Sequence, residues 1–197
     1  MKKLFLSAAL MLVCVAVASA QVPVPFSLYA GGLVSFPNAP DQFKESYKNG
    51  FHGMIGIGYK AAPIAQLVGK AEYHRFGYDF AQIDGVTNGA QSVWLYGADL
   101  RMGLNLPASP IKPYILGGGG LAHVSFSQFE GTNLTLTTAL NDALPAAQNK
   151  FYFNFGGGLE FKLAPMTSLF AQVRYVSIAT DVEKTSFVPL TLGLKFF

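Results

Sequence analysis

Residues 92–104 read SVWLYGADLRMGL, and the choice of fold turns on which way this stretch faces. Side chains alternate sides along an extended chain. Trp94, Tyr96, Ala98, Leu100, Met102 and Leu104 therefore share one face. Gly97, Asp99, Arg101 and Gly103 share the other, with Val93 and Leu95 at its entrance. Residues 151–163, FYFNFGGGLEFKL, repeat the pattern, with Phe151, Phe153, Phe155, Leu159, Phe161 and Leu163 opposed to Tyr152, Asn154, Glu160 and Lys162. Period two is common to soluble and membrane barrels, which differ in the face they turn inward. Here the apolar face is almost uncharged, and the strand ends are rich in Phe and Tyr, residues that suit membrane–water interfaces. Charged residues make up 13% of the chain, against about 25% in soluble domains. The apolar face is accordingly expected to meet lipid and the charged face to fill the interior.

Outward from that strand, the chain divides into segments of about ten alternating residues, the length of a tilted membrane-spanning strand. They are read at 25–36, 51–60, 64–76, 92–104, 112–126, 149–163, 168–178 and 187–197. Short turns at 61–63, 105–110 and 164–167 alternate with longer connections at 37–50, 77–91, 127–148 and 179–186. Short turns at one end and long loops at the other point to an all-β, eight-stranded, antiparallel up-and-down transmembrane barrel.

The N-terminus carries an address. Lys2 and Lys3 precede the apolar run LFLSAALMLVCVAV, and Ala18-Ser19-Ala20 supplies a small-residue cleavage site, the three parts of a secretory signal peptide. Cleavage after Ala20 leaves 21–197 as a single barrel domain. Cys14, the one cysteine, departs with the leader, so no disulfide or cysteine metal ligand is expected in the mature chain. Without Lys2 and Lys3 the balance is 12 basic against 11 acidic residues, with no basic stripe of the kind that nucleic-acid binders carry.

Three stretches, YKNGFHGMIGIGYK, PYILGGGG and GGGLEFKLAPMTSLFAQVRY followed by VPLTLGLKFF, resemble the small outer-membrane β-barrels of the OmpA/OmpX and opacity-protein type. The expected place is the cell outer membrane, in contact with outer-membrane lipid and lipopolysaccharide, and a monomer is expected. The resemblance implies recognition of the last strand by the barrel-assembly machinery, here through Phe196 and the terminal Phe197. Leu190, Leu192, Leu194 and Phe196 form the apolar alternation, which puts Phe197 one step out of phase.

An eight-stranded barrel is barely wide enough for its own interior side chains. The expected inward charges are Lys70, Glu72, Asp99, Arg101, Glu160, Lys162, Arg174 and Lys195. Isolated buried charges are too costly, so opposite signs should pair. Folding the hairpins about their turns places Lys70 beside Asp99, Asp99 beside Gly117, and Arg174 beside Gly156 or Gly158. The paired set reads as a salt-bridge plug, or alternatively as the wall of a narrow passage for small solutes or ions. The glycine tracts Gly117, Gly118, Gly119, Gly120 and Gly156, Gly157, Gly158 lack the Lys-Ser/Thr of a phosphate loop and run on into strands. Glycine in strands marks bends or close approach of other groups. A turn near residue 138 would set Gly118 near Gly157 and Gly119 near Gly156, with Gly97 beside Gly119, making one side-chain-free patch.

Other candidates are weaker. His123 and Ser125 share a strand face, as in lipid A deacylases, and Glu130 is the nearest downstream acid, but a catalytic triad needs an orienting carboxylate in place. His52 and His74 are expected to approach one another on adjacent strands without the further ligands a metal requires, so interior hydrogen bonding is expected. The Asn133 glycosylation pattern carries no meaning in a bacterial outer-membrane protein. The 127–148 loop is the place to look for an extracellular ligand. No catalytic residue, cofactor or metal site is assigned. The expected role is structural or surface-interacting, the alternative a narrow channel, and the third reading a lipid A-modifying enzyme using His123 and Ser125.

Overall fold

The computed structural model describes residues 25–79, 86–104, 109–131, 134–180 and 183–197. The signal peptide, with Ala18 and Ala20, and Asn133 lie outside the described residues. Eight long strands are present: β1 Phe26–Ala39, β2 Gly50–Lys60, β3 Ala65–Gly77, β4 Ala90–Gly103, β5 Ile111–Ser127, β6 Gln148–Ala164, β7 Thr167–Ile178 and β8 Thr185–Phe196. Each pairs antiparallel with its chain neighbour, and β1 pairs with β8 to close the barrel. Closure leaves no unpaired edge, which is the condition for a sheet to sit in lipid.

The faces follow the alternation. Ile55, Ile57, Tyr96, Leu100, Met102, Ile115, Phe151, Phe153, Phe155 and Leu192 are exposed on the outer surface. Aromatic residues gather at both ends of that band. Phe26 packs on Tyr59 at 5.4 Å near the short turns, and Tyr73 lies between Phe51 at 6.4 Å and Trp94 at 4.8 Å toward the long loops. Such belts are expected where rings meet both lipid and water.

The long connections hold structure that turn chemistry did not announce. Helix α1, Asp41–Ser46, seats its one buried residue, Phe43, against Phe76 at 5.1 Å. Helix α2, Leu134–Asp142, is tied down by Asn141, whose side chain accepts from the Phe129 amide at 2.7 Å and donates to the Phe129 carbonyl at 3.1 Å. A two-residue ribbon joins Val86–Thr87 to Glu130–Gly131.

The glycine register differs from expectation. Gly118 lies opposite Asn154 and Gly117 opposite Phe155, while Gly156, Gly157 and Gly158 face Leu116, Ile115 and Tyr114. The two tracts are neighbours displaced by three residues and do not pair with each other; Gly97 faces Gly120 and not Gly119, and Asp99 faces Gly118 and not Gly117. The midpoint of a loop that contains a helix does not set the register. Interior side chains do. Asn154 Nδ2 donates to Asp99 Oδ1 at 2.9 Å across the empty position at Gly118, and the Tyr114 hydroxyl donates to Gln172 Oε1 at 3.2 Å across Gly158.

At the C-terminus, Phe196 completes the outward row of Leu190, Leu192 and Leu194. Phe197 lies beyond β8, its amide bonded to the Met166 carbonyl at 2.9 Å.

Candidate functional site

The interior is arranged in three tiers. Under the long loops, Phe76, Val93, Leu95, Val124, Val176, Ile178 and Phe187 pack with Phe43 as an apolar cluster. Phe187 stands 5.4 Å from Phe76 and 4.7 Å from the His74 ring. Val93 and Leu95 were expected at the entrance of this face, whereas the other members of the tier were not. The tier's sequence signal was the inward parity of Glu72 and His74 continued to Phe76, and that of Thr191 continued back to Phe187.

The middle tier is ionic. Glu72 accepts from Arg174 Nη2 at 2.8 Å and lies 3.1 Å from Lys70 Nζ, which also reaches Asp99 at 2.6 Å. Lys70 does not sit opposite Asp99, as hairpin folding expected. Its backbone partner is Gly97, and the contact is diagonal. Arg174 faces Gly156, where a Cβ would come within 3.0 Å of the arginine Cγ. Arg174 and Glu72 are each 1% exposed, so charges of both signs are fully desolvated and must be matched.

A hydrogen-bonded row feeds this cluster. His52 and His74 are opposite one another and stacked at 4.9 Å. His74 Nε2 is 3.2 Å from Glu72 Oε2, and His74 Nδ1 is 2.9 Å from Ser35 Oγ. His52 Nδ1 is 3.1 Å from the same Ser35 oxygen, and His52 Nε2 is 3.0 Å from Thr191 Oγ1. Ionised Glu72 can only accept, so one proton assignment with neutral rings satisfies every contact. Thr191 donates to His52, His52 to Ser35, Ser35 to His74 and His74 to Glu72.

The third tier lies at the short-turn mouth. Lys195 Nζ donates to Glu160 Oε1 at 2.9 Å, and Arg101 Nη2 stands 3.9 Å from Glu160 Oε2. The Arg101 guanidinium lies over the rings of Tyr114 at 3.9 Å and Tyr29 at 4.8 Å. Of the expected interior charges, Lys162 is the exception. It is exposed beside the register shift that ends β6, so its side chain joins neither cluster. Lys60 and Lys112 were overlooked, although both have inward parity at the same end and line the mouth.

His123 and Ser125 alternate with buried Ala122 and Val124. His123 Nδ1 is 2.8 Å from Asn149 Oδ1, whereas Glu130 Oε2 accepts from Asn88 Nδ2 at 2.7 Å. The acid is thus committed elsewhere.

A closed antiparallel barrel with an apolar exterior and ionic interior defines a small transmembrane β-barrel of the outer-membrane class. The chain belongs to the outer membrane protein beta-barrel domain family, whose model matches residues 5–196. No curated protein matches it. Among solved structures it is similar to Neisserial surface protein A (NspA), with TM-score 0.63 and 16% identity over 87% of this chain and 96% of that one. It is also similar to a major outer membrane protein from Thermus thermophilus, with TM-score 0.54 and 13% identity over 87% and 97%. The outer membrane enzyme PagL matches at TM-score 0.41 and 16% identity, over 87% and 99%.

Proposed function

We propose that this chain is an outer-membrane barrel, exported by a leader cleaved after Ala20, with a structural or surface-interaction role, a closed lumen and no catalytic chemistry. The observation that carries the reading is the filled interior. Arg174, Glu72 and Lys70 interlock at mid-barrel beneath the Phe76–Phe187 cluster, in a barrel whose width accommodates little more than its own side chains. The ordered elements among the long loops, α1, α2 and the ribbon at Val86–Thr87, offer a built surface where loops of a rigid scaffold commonly carry contacts.

The lumen is tested in planar bilayers. The purified barrel should give no unitary openings, and sustained steps would replace the closed reading with that of a narrow channel. Catalysis is tested by mass spectrometry of lipid A from expressing cells. The spectrum should match that of cells without the protein, and loss of acyl mass abolished by Ser125→Ala would overturn the non-catalytic reading.

A further inference from the structure

We propose that the short-turn mouth of the barrel is a binding site for a small phosphate-bearing anion. A cavity of about 450 Å³ opens there, within the roughly 300–1,000 Å³ of ordinary small-molecule sites. Four cationic side chains line it, Lys60, Arg101, Lys112 and Lys195, each from a different strand. Glu160 is the one acidic side chain among the described residues of the lining, and the Phe197 backbone oxygen there accepts from Ser27 Oγ at 3.2 Å. Cationic side chains therefore outnumber the acidic one four to one in a recess, a setting that raises local anion concentration.

Arg101 supplies the specific group. It is 7% exposed, and Nη2 has no hydrogen-bond partner, Glu160 lying out of range at 3.9 Å. Tyr114 and Tyr29 cover the guanidinium faces, and their own hydroxyls are held by Gln172 at 3.2 Å and Gln66 at 2.5 Å. Arg101 thus lines the cavity with a buried, unused donor, and a planar fork of donors matches a phosphate better than a point charge does. Lys195 is already committed to Glu160, while Lys112 stands opposite Glu160 on the neighbouring strand, where it can close on the far side of a bound anion. The same chemistry arises from a free phosphate compound reaching the mouth or from a lipid phosphate folding in from the bilayer edge.

The test uses the folded barrel in uncharged detergent at low salt, with pyrophosphate titrated calorimetrically and folding of each variant verified by heat-modifiable gel migration. One-to-one binding is expected, weakened about tenfold by Arg101→Gln and about threefold by Lys112→Gln, since charge-assisted donors are removed. Glu160→Gln should tighten it by removing the competing carboxylate, a change of sign that structural damage does not produce. If Arg101→Gln fails to fold, the opposed effects of Lys112→Gln and Glu160→Gln decide. Absence of saturable binding to the unaltered barrel, or an affinity indifferent to these substitutions, overturns the site. In the same uncharged detergent, displacement of pyrophosphate by short-chain phosphatidic acid at much lower concentration than by glycerol phosphate identifies a lipid phosphate as the occupant, and equal displacement identifies a free anion.

Discussion

Replacing Glu72 with glutamine removes one negative charge from mid-barrel and leaves the shape almost intact. Three donors converge on that carboxylate: Arg174 at 2.8 Å, Lys70 at 3.1 Å and His74 at 3.2 Å. Lys70 retains Asp99 at 2.6 Å, but Arg174 loses the anion it faces, with its side chain 0% exposed. Breaking a buried ion pair by removing one partner costs about 3–5 kcal/mol, and because the amide oxygen still accepts a hydrogen bond the expected loss is about 3 kcal/mol. Arg174→Met should cost a similar amount by stranding Glu72 between Lys70 and His74. The double variant should recover to within about 1 kcal/mol of the original, since removing both charges leaves neither buried without its partner. The assay is urea unfolding in lipid vesicles followed by fluorescence of Trp94, the single tryptophan, which is 40% exposed on the outer face and passes from lipid to water on unfolding. A loss under about 1 kcal/mol for Glu72→Gln, or additive losses in the double variant, would refute the claim that these charges hold one another.

The other expectations use the same readouts. Gly117 and Gly118 are adjacent but unlike: a Cβ on Gly117 meets nothing closer than the Asn154 carbonyl at 3.7 Å, whereas one on Gly118 falls 2.7 Å from Asp99 Cα. Gly118→Ala should therefore cost about 1–3 kcal/mol by overpacking, and Gly117→Ala should be close to neutral; equal effects would contradict the register. Phe187→Ala should cost about 3–5 kcal/mol, as for other buried rings, because Phe187 is 0% exposed between Phe76 and His74. Brominated lipid should quench Trp94 strongly, and an unquenched signal from the folded barrel would mean that the outer face does not meet acyl chains.

Fold was legible because one signal, alternation of apolar and polar residues, extends the length of each strand. Eight segments read from that signal coincide with β1 to β8 to within three residues at each end, the largest difference being β1 running on to Ala39. Alternation also named seven of the interior charges, Lys162 excepted. What it could not supply was height. Arg101 and Arg174 carry the same parity signal, yet one faces the mouth with Glu160 and the other is sealed against Glu72. Height depends on register, and register across the 128–147 connection was invisible while α2 was read as loop. The apolar tier was obscured for a different reason. Val93 and Leu95 were read on the inward face, but two residues of one strand do not show a tier; closure of the barrel brings Phe76, Val124, Val176 and Phe187 beside them beneath the loops.

Inside this barrel, size is balanced across strands and not along them. Tyr152 reaches toward Gly97 over Gly120, its hydroxyl 2.5 Å from where a Cβ on Gly97 would stand; Asp99 meets Asn154 over Gly118; Arg174 lies against Gly156. A lumen only as wide as its own side chains admits long polar groups where a neighbouring strand gives up its own. The inward glycines thus have the same cause as the buried ion pairs; of the outward ones, Gly119 and Gly157 lie where a Cβ would fall 2.6 Å from the Tyr152 carbonyl and 3.1 Å from the Tyr114 carbonyl, and Gly117 has room. A wall and interior so committed to mutual fit leave recognition to the two ends. At one end stand the ordered loop elements; at the other, where the barrel opens and Glu160 is outnumbered by cations, polar groups are free to meet something that is not protein.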